Sequence, residues 1–524
     1  MRARGGLVGV NVVIGRRPAA GTRARMRETL FFALVAAACM VPKFAGLTAQ
    51  SLWLDEMNVL RYASLPHLDG AFFQAIRQEP HPPLYLVLMW GYAKLFGTSP
   101  FVLRLSGAIM GSLAVAAFYF AAAAALGRRT ALIAAMLFGL SSIGLYEAQE
   151  VRPYSLVFLF AGVSAAWFAE AARTPEPGRS RIARLLAVNL LLCFTHYSGV
   201  FLAFAEAIVL LALAAARGQA RLRAFAVSAL LGLTALPALA WMAWTLQVYD
   251  PMETANLHWR LLDVISPLRA FFGQFAVLIL VLLPLLLVRM RRPRLDRNAM
   301  ELSLSAVILI VFAEVVAAAF LHPSWMQNKN FYVVFPAGYL LLATMLLKVR
   351  MMRTRFGPLL TFLIGAAGLA TYLATGYPLQ AASYYSPFRE QIREAAALVG
   401  KLARPQDTIL TAEIDINGNH LYLLPTKMYA DAIAKRRWRA ADVIVLPPPR
   451  ENAGRIKALK AALAGLKPDG ELIIDLPQST HLNAAENHLL DGALCITEHD
   501  LVHHRVIEAG FSPDRCPRRR RVEG

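Results

Sequence analysis

Charge is scarce in this chain: 17% of its 524 residues are Asp, Glu, Lys or Arg, and 57% are hydrophobic. A soluble domain typically carries about 25% and about 45–50% of these classes, so an ordinary water-soluble enzyme is excluded. Cysteine is scarcer still. Four cysteines with no Cys-x-x-Cys pair exclude a disulfide scaffold and provide no zinc or redox motif. Acidic side chains are also in deficit, 34 against 54 Lys and Arg, for a formal charge of +20. Such a surplus could suit nucleic acid, so its location matters. Residues 1–376 hold 34 basic and 16 acidic side chains, whereas 377–524 hold 20 and 18. A basic excess confined to loops between apolar stretches is the footprint of the positive-inside rule, which excludes nucleic acid as a partner.

What the chain has in quantity is apolar runs of spanning length. An α-helix needs about 20 such residues to cross the hydrocarbon core. Eleven spans are expected near 29–48, 105–126, 131–147, 154–172, 185–195, 198–216, 224–244, 267–288, 302–321, 331–347 and 358–376. With residues 1–28 cytoplasmic, the cytoplasmic loops carry 25 Lys and Arg and the opposite ones 7, the asymmetry that selects an orientation in a plasma (inner) membrane. The stretch Pro82–Phe96 is apolar but too short, and counting it as a span would invert every later loop. It is therefore expected to lie at the outer interface. The basic stretch Met1–Arg27 precedes an apolar run too long for a signal peptide, which points to an uncleaved first helix.

After Gly376 the apolar runs shorten and charges of both signs mix. Asp407–Ile414, Asp442–Leu446 and Glu471–Leu476 alternate as strands do, and Pro387–Leu402 and Asn452–Gly465 have helical spacing. The expected fold is therefore a mainly α, polytopic helix bundle (1–376) with an external first loop (49–104), followed by a small external α/β domain (377–524). Cys495 and Cys516 would meet oxidising conditions there and could pair, whereas Cys39 and Cys193 fall in spans as packing residues. Arg518–Arg521 read as a solvated basic tail.

Polar residues at a membrane boundary are costly, so their clustering marks function. On the external side lie Leu54-Asp55-Glu56, Glu79-Pro80-His81-Pro82-Pro83-Leu84-Tyr85, Arg104, Tyr146-Glu147-Ala148-Gln149-Glu150-Val151-Arg152-Pro153-Tyr154, Thr195-His196-Tyr197, and Lys329-Asn330-Phe331-Tyr332. Carboxylates there can take a proton from an attacking hydroxyl or amine, and an Arg can hold a phosphate leaving group through its planar fork. Aromatic rings offer faces to a sugar or a lipid chain. The acidic pair also suits a divalent metal, although no three-ligand set is legible.

The first-loop acidic pair, the His-Pro-Pro-Leu-Tyr motif with Phe96-Gly97 and Arg104-Leu105, and the 146–154 run together resemble the membrane glycosyltransferases of the C-type fold. More narrowly, they resemble the bacterial dolichyl-phosphate-mannose-protein mannosyltransferase superfamily (glycosyltransferase family 39-like), which includes the aminoarabinose transferases that modify lipid A. The resemblance covers about residues 29–215. It implies transfer of a sugar from a polyprenyl-phosphate donor to an acceptor, whether lipid A or its core, a glycan, a lipid or a protein, at the outer leaflet and with inversion. It also implies that an acidic residue of the first loop acts at the acceptor: Asp55 matches best, with Glu56 beside it as the second catalytic candidate. His81, Tyr85, Arg104, Glu150, Arg152, Tyr154 and Lys329 are the candidates for substrate and carrier phosphate. Lys329-Asn330-Phe331-Tyr332 ahead of Pro336 departs from the Arg-Tyr pair common before a late proline in such proteins.

Plainer readings stand beside these. Arg152 could pair with Glu150 or Glu147, and His81 could merely precede a proline-started helix. Lys43 is expected to snorkel from the first span, Glu206 and Glu314 have no assignable partner, and His196 and Tyr197 read as belt residues. A transporter or lipid flippase is the rival function, although the two halves show no convincing repeat.

Overall fold

A computed structural model describes residues 20–248, 295–375 and 391–510, apart from interruptions of which the longest is 430–441, together with residues 267 and 271. Helix α1 (Ala20–Phe44) leads to the first loop, where α2 (Leu54–Ala63), α3 (Gly70–Ile76) and α4 (Leu84–Phe96) lie in succession. The long α5 (Pro100–Leu126) opens with Ser99 accepting from the Val102 N–H at 3.3 Å and stops at Gly127, whose φ of 94° no β-carbon would favour. Then come α6 (Arg128–Gly139), α7 (Ser142–Ala148), α8 (Tyr154–Arg173), α9 (Arg179–Thr195), α10 (Ser198–Ala216), α11 (Arg221–Leu233) and α12 (Leu236–Thr245). After the central undescribed stretch follow α13 (Leu295–Leu321), a 3-10 turn (Asn328–Val334), α14 (Phe335–Leu346) and α15 (Phe356–Thr375).

Among the described residues, seven helical segments are long and apolar enough to cross a membrane, and an eighth if α6 and α7, bent by 63°, form one broken span. These match eight of the eleven expected spans. Helices α1 and α9 exist but their described parts are too short or too polar to qualify, and 267–288 lies outside the described residues. Helix α4, at 13 residues, cannot cross, consistent with an interfacial position. Outward-facing Leu113, Phe120, Leu309 and Phe320 give the bundle the apolar exterior that lipid requires.

Small residues set the packing that matters for the site. A β-carbon at Gly107 would lie 2.6 Å from the Glu150 carbonyl oxygen, and one at Gly111 would lie 2.7 Å from the Ala148 β-carbon. Helix α5 can therefore press directly on the 148–150 backbone. Several buried polar groups are paired across helices, as lipid favours. Ser164, Asn189 and Glu206 join α8, α9 and α10 through hydrogen bonds of 2.9–3.2 Å, which supplies the partner that the sequence did not reveal for Glu206. Lys43 does not snorkel. The break between α6 and α7 frees carbonyls, and the buried Lys43 Nζ donates to Gly144 at 3.2 Å and Gly139 at 3.4 Å.

The C-terminal part is α/β. Helix α16 (Ile392–Leu402) precedes β1 (Thr408–Ala412), a hairpin of β2 (Ile414–Ile416) and β3 (Leu421–Leu423), β4 (Asp442–Leu446), α17 (Asn452–Ala464), β5 (Glu471–Pro477), α18 (Ala484–Leu489), β6 (Cys495–Leu501) and β7 (His504–Gly510). The main sheet runs β4-β1-β5-β7-β6, with β4, β1 and β5 parallel and the β7–β6 pair antiparallel. Ala395 and Val399 of α16 cover one face against Ile409, Ile473 and Val506, and Leu459 and Ala462 of α17 cover the other. Cys495 is disulfide-bonded; Cys516 and Arg518–Arg521 lie outside the described residues. The α/β part sits on the first loop: the Arg393 backbone N–H donates to Ser51 Oγ at 2.9 Å, and its Nη1 donates to the Thr48 carbonyl at 2.8 Å.

Candidate active site

The start of α2 separates two neighbouring carboxylates, because consecutive helical residues point about 100° apart. Glu56 turns inward and is fully buried. It receives Arg104 through two bonds, Nε at 2.9 Å and Nη2 at 2.6 Å, and also accepts the Val151 N–H at 3.0 Å and the Trp53 N–H at 3.2 Å. Arg104 in turn donates to the carbonyls of Leu47, Gln50 and Ser51 at 2.7–3.0 Å. Both residues expected at the chemistry are thus engaged in holding the loop: Glu56 is buried among donors, and Arg104 is bound to Glu56 and the loop backbone.

Asp55 turns the other way. Its side chain is 38% exposed, and Oδ2 lies 3.4 Å from Arg152 Nη2. Arg152, buried at the start of α8, also approaches Glu79 Oε1 through Nη1 at 3.5 Å and is hydrogen-bonded to Tyr154. Its Nε has no hydrogen-bond partner among the described residues. The same holds for the buried hydroxyl of Tyr85, which lies in the electrostatic range of Arg152. Two buried, unpartnered donors beside an exposed carboxylate are a site prepared for an oxygen-rich ligand.

Glu79 is the hub beneath it. Its Oε2 accepts from Asn58 Nδ2 at 2.5 Å, and Oε1 meets His81 Nδ1 at 2.8 Å. Burial pushes the Glu79 carboxyl up from its ordinary range, against the pull of Arg152 and Lys329. Burial, reinforced by the same two cations, holds the His81 imidazole well below its ordinary pKa. His196 is lowered in the same way, by burial and then by His81, Lys329 and Arg152, and its ring centroid is 5.1 Å from that of His81 and 5.7 Å from that of Tyr154. The structure thus gathers Asp55, Glu79, His81, Tyr85, Arg152, Tyr154, His196 and Lys329 at one end of the bundle. Glu150, within electrostatic reach of Tyr85, accepts from Trp53 Nε1 at 2.7 Å, which ties the first loop to the 146–154 segment.

The sequence offered no role for Asn58 or Glu79 and read His196 as a belt residue. The one signal was position: Glu79 precedes His81 by two residues, and His196 ends α9 at the same face. Among the described residues, no group of three or more His, Cys, Asp or Glu is arranged to hold a metal ion.

Residues 80–244 match the family profile described as dolichyl-phosphate-mannose-protein mannosyltransferase. Across its length the chain is similar to the crystal structure of ArnT from Cupriavidus metallidurans bound to undecaprenyl phosphate, with a TM-score of 0.56 and 13% identity over 94% of this chain and 100% of that one. The chain shares the fold of this ArnT structure. The apo form of the same ArnT gives a TM-score of 0.53 at 12% identity, covering 92% and 98% of the two chains. No curated protein matches this chain in sequence. The profile covers His81, Tyr85, Arg104, Arg152, Tyr154 and His196, and begins one residue after Glu79.

Proposed function

We propose that this protein is a glycosyltransferase that moves a sugar from a polyprenyl-phosphate donor to a hydroxyl or amine acceptor, with inversion, at the outer leaflet of a plasma (inner) membrane whose cytoplasmic side faces the basic loops. The carrying observation is the buried Arg152, whose Nε lacks a partner among the described residues, 3.4 Å by its Nη2 from the solvent-accessible Asp55. The similar ArnT structure holds undecaprenyl phosphate, which supports a polyprenyl-phosphate carrier.

In this reading the acceptor oxygen or nitrogen attacks the anomeric carbon from the face opposite the carrier. Asp55 takes its proton, the carbon–oxygen bond to phosphate breaks, and the electron pair leaves on the polyprenyl phosphate. Arg152 and Lys329 stabilise the charge that develops on that phosphate, and Tyr85, Tyr154 and His81 line the donor. Glu79 and Asn58 position Arg152 and His81, while Glu56, Arg104 and Glu150 hold the loop that carries Asp55. The neutral state favoured for His81 and His196 leaves the cationic work to Arg152 and Lys329.

The test compares wild type, Asp55→Asn and a deletion strain, with matched protein levels in the first two, by mass spectrometry of envelope glycolipids, glycans and polyprenyl-phosphate sugars. Accumulation of one lipid-linked sugar and loss of that sugar from one acceptor, in both Asp55→Asn and the deletion, supports the reading and identifies both substrates. If Asp55→Asn matches wild type while the deletion changes the leaflet distribution of a lipid, transfer chemistry at Asp55 is refuted in favour of transport.

A further inference from the structure

At the end of the bundle opposite the first loop, the helices leave a cavity of about 410 Å³ lined by Leu126, Thr130, Arg173, Met300, Glu301 and Thr344. These come from α5, α6, α8, α13 and α14, so five helices meet there. Tyr154 of the candidate active site opens α8 and Arg173 closes it; at about 1.5 Å per residue the two lie roughly 29 Å apart. The cavity therefore takes no part in sugar transfer.

Its charge is unbalanced. The one acidic lining residue, Glu301, is neutralised by Lys348 Nζ at 3.0 Å. Arg128 and Arg129 open α6 immediately before the lining Thr130, and Arg129 Nη1 reaches the Arg353 carbonyl at 2.9 Å, which draws the basic 348–353 segment to the rim. Arg173 itself is exposed, and among the described residues its guanidinium donates only to the Ala125 carbonyl, at 3.4 Å. A paired-donor fork with so little else to bind, in a polar recess at a bundle end, matches a phosphate. Basic pockets between spans at a membrane face are where lipid phosphates lie.

We propose that this cavity binds the phosphate of an anionic glycerophospholipid from the adjoining leaflet, through Arg173, with the Glu301–Lys348 pair meeting the polar headgroup beside it. The excess of cations selects a net-negative headgroup over a zwitterionic one.

The experiment is native mass spectrometry of the full chain, wild type and Arg173→Gln, released from nanodiscs of mixed phosphatidylglycerol and phosphatidylethanolamine. Wild type is expected to retain phosphatidylglycerol preferentially. Loss of the charged donor is expected to cut that retention roughly tenfold, with transferase activity and thermal midpoint in lipid-free detergent unchanged. Arg173→Lys, which keeps the charge without the fork, is expected to fall between the two. Displacement of the lipid by soluble glycerol phosphate, in wild type only, supports recognition through the phosphate. Equal retention of the two lipids by wild type, or retention in Arg173→Gln equal to wild type, overturns the proposal.

Discussion

Two adjacent carboxylates in one loop should fail in opposite ways when neutralised. Glu56→Gln leaves Arg104 buried with half of its ion pair gone, and such breaks typically cost about 3–5 kcal/mol, or roughly two to three and a half orders of magnitude in the folding equilibrium. Asp55→Asn removes one 3.4 Å contact from a side chain 38% exposed, worth less than about 1 kcal/mol once solvent screening is counted. Its activity should nevertheless fall by about 10²–10⁴, the usual contribution of a positioned general base. The assay measures thermal unfolding in detergent by tryptophan fluorescence, alongside transfer from a purified polyprenyl-phosphate sugar. Glu56→Gln should unfold at markedly lower temperature. Asp55→Asn should melt with wild type and turn over at background. If Asp55→Asn retains activity, or if Glu56→Gln is as stable as wild type yet inactive, the division of labour drawn from their burial is wrong.

Arg152→Lys keeps a charge but loses the planar fork; transfer should drop about tenfold or more, with KM for the lipid-linked donor raised, as read from initial rates against donor concentration. Gly107→Val should place methyl groups where the Glu150 carbonyl now sits, costing about 1–3 kcal/mol in thermal stability and displacing Arg152 enough to lower activity. The histidine contribution to stability should fall as pH drops below about 6.5, the ordinary histidine value. His81 and His196 are both depressed in the fold, so each contributes stability that is complete above that pH and is lost below it, by up to about 1.4 kcal/mol per pH unit. Raised carboxyls such as Glu79 and Glu471 act in the opposite sense above about 4.5, so the histidine part is read against a His81→Gln/His196→Gln variant. The midpoint of wild type relative to that variant should fall from pH 8 to pH 5, and a difference that stays constant or rises would contradict it.

How much of this was legible in the sequence follows from which interactions are local. The interfacial placement of α4 came from length and loop charge alone, because 13 apolar residues cannot cross a bilayer whatever surrounds them. The resemblance and a shared membrane side put Asp55 and Arg152 in one expected site, but their contact went unread, since the plainer reading paired Arg152 with Glu150 or Glu147. By contrast, Glu56 and Asp55 are equivalent in composition and differ only in the phase of α2, which requires knowing which face of that helix the bundle covers. Lys43 was misread because its acceptors exist only where α6 breaks into α7. Glu79 joins Asn58, 21 residues earlier, to Arg152, 73 residues later, a convergence that no spacing rule encodes. The β6–β7 hairpin went unread because Cys495–Leu501 carries mostly polar, outward residues and is fixed by pairing with its neighbour rather than by its own periodicity.

The charge arrangement also explains why the site would discriminate in favour of a phosphate-bearing donor. A buried Arg is tolerated only where opposite charge and hydrogen bonds repay its lost hydration. At Arg152 that compensation is incomplete: the two carboxylates stand 3.4 and 3.5 Å away rather than in close bidentate contact, one is solvent-exposed, the other is pushed toward its neutral form, and Nε has no partner among the described residues. Arg104, on α5, shows the alternative, with its Glu56 pair at 2.6–2.9 Å and backbone carbonyls around the rest. The first arginine is satisfied by the protein and fixes the loop. The second is left with capacity for an anion, and in the proposed mechanism an arriving phosphate would complete its coordination and free Asp55 to turn toward the acceptor.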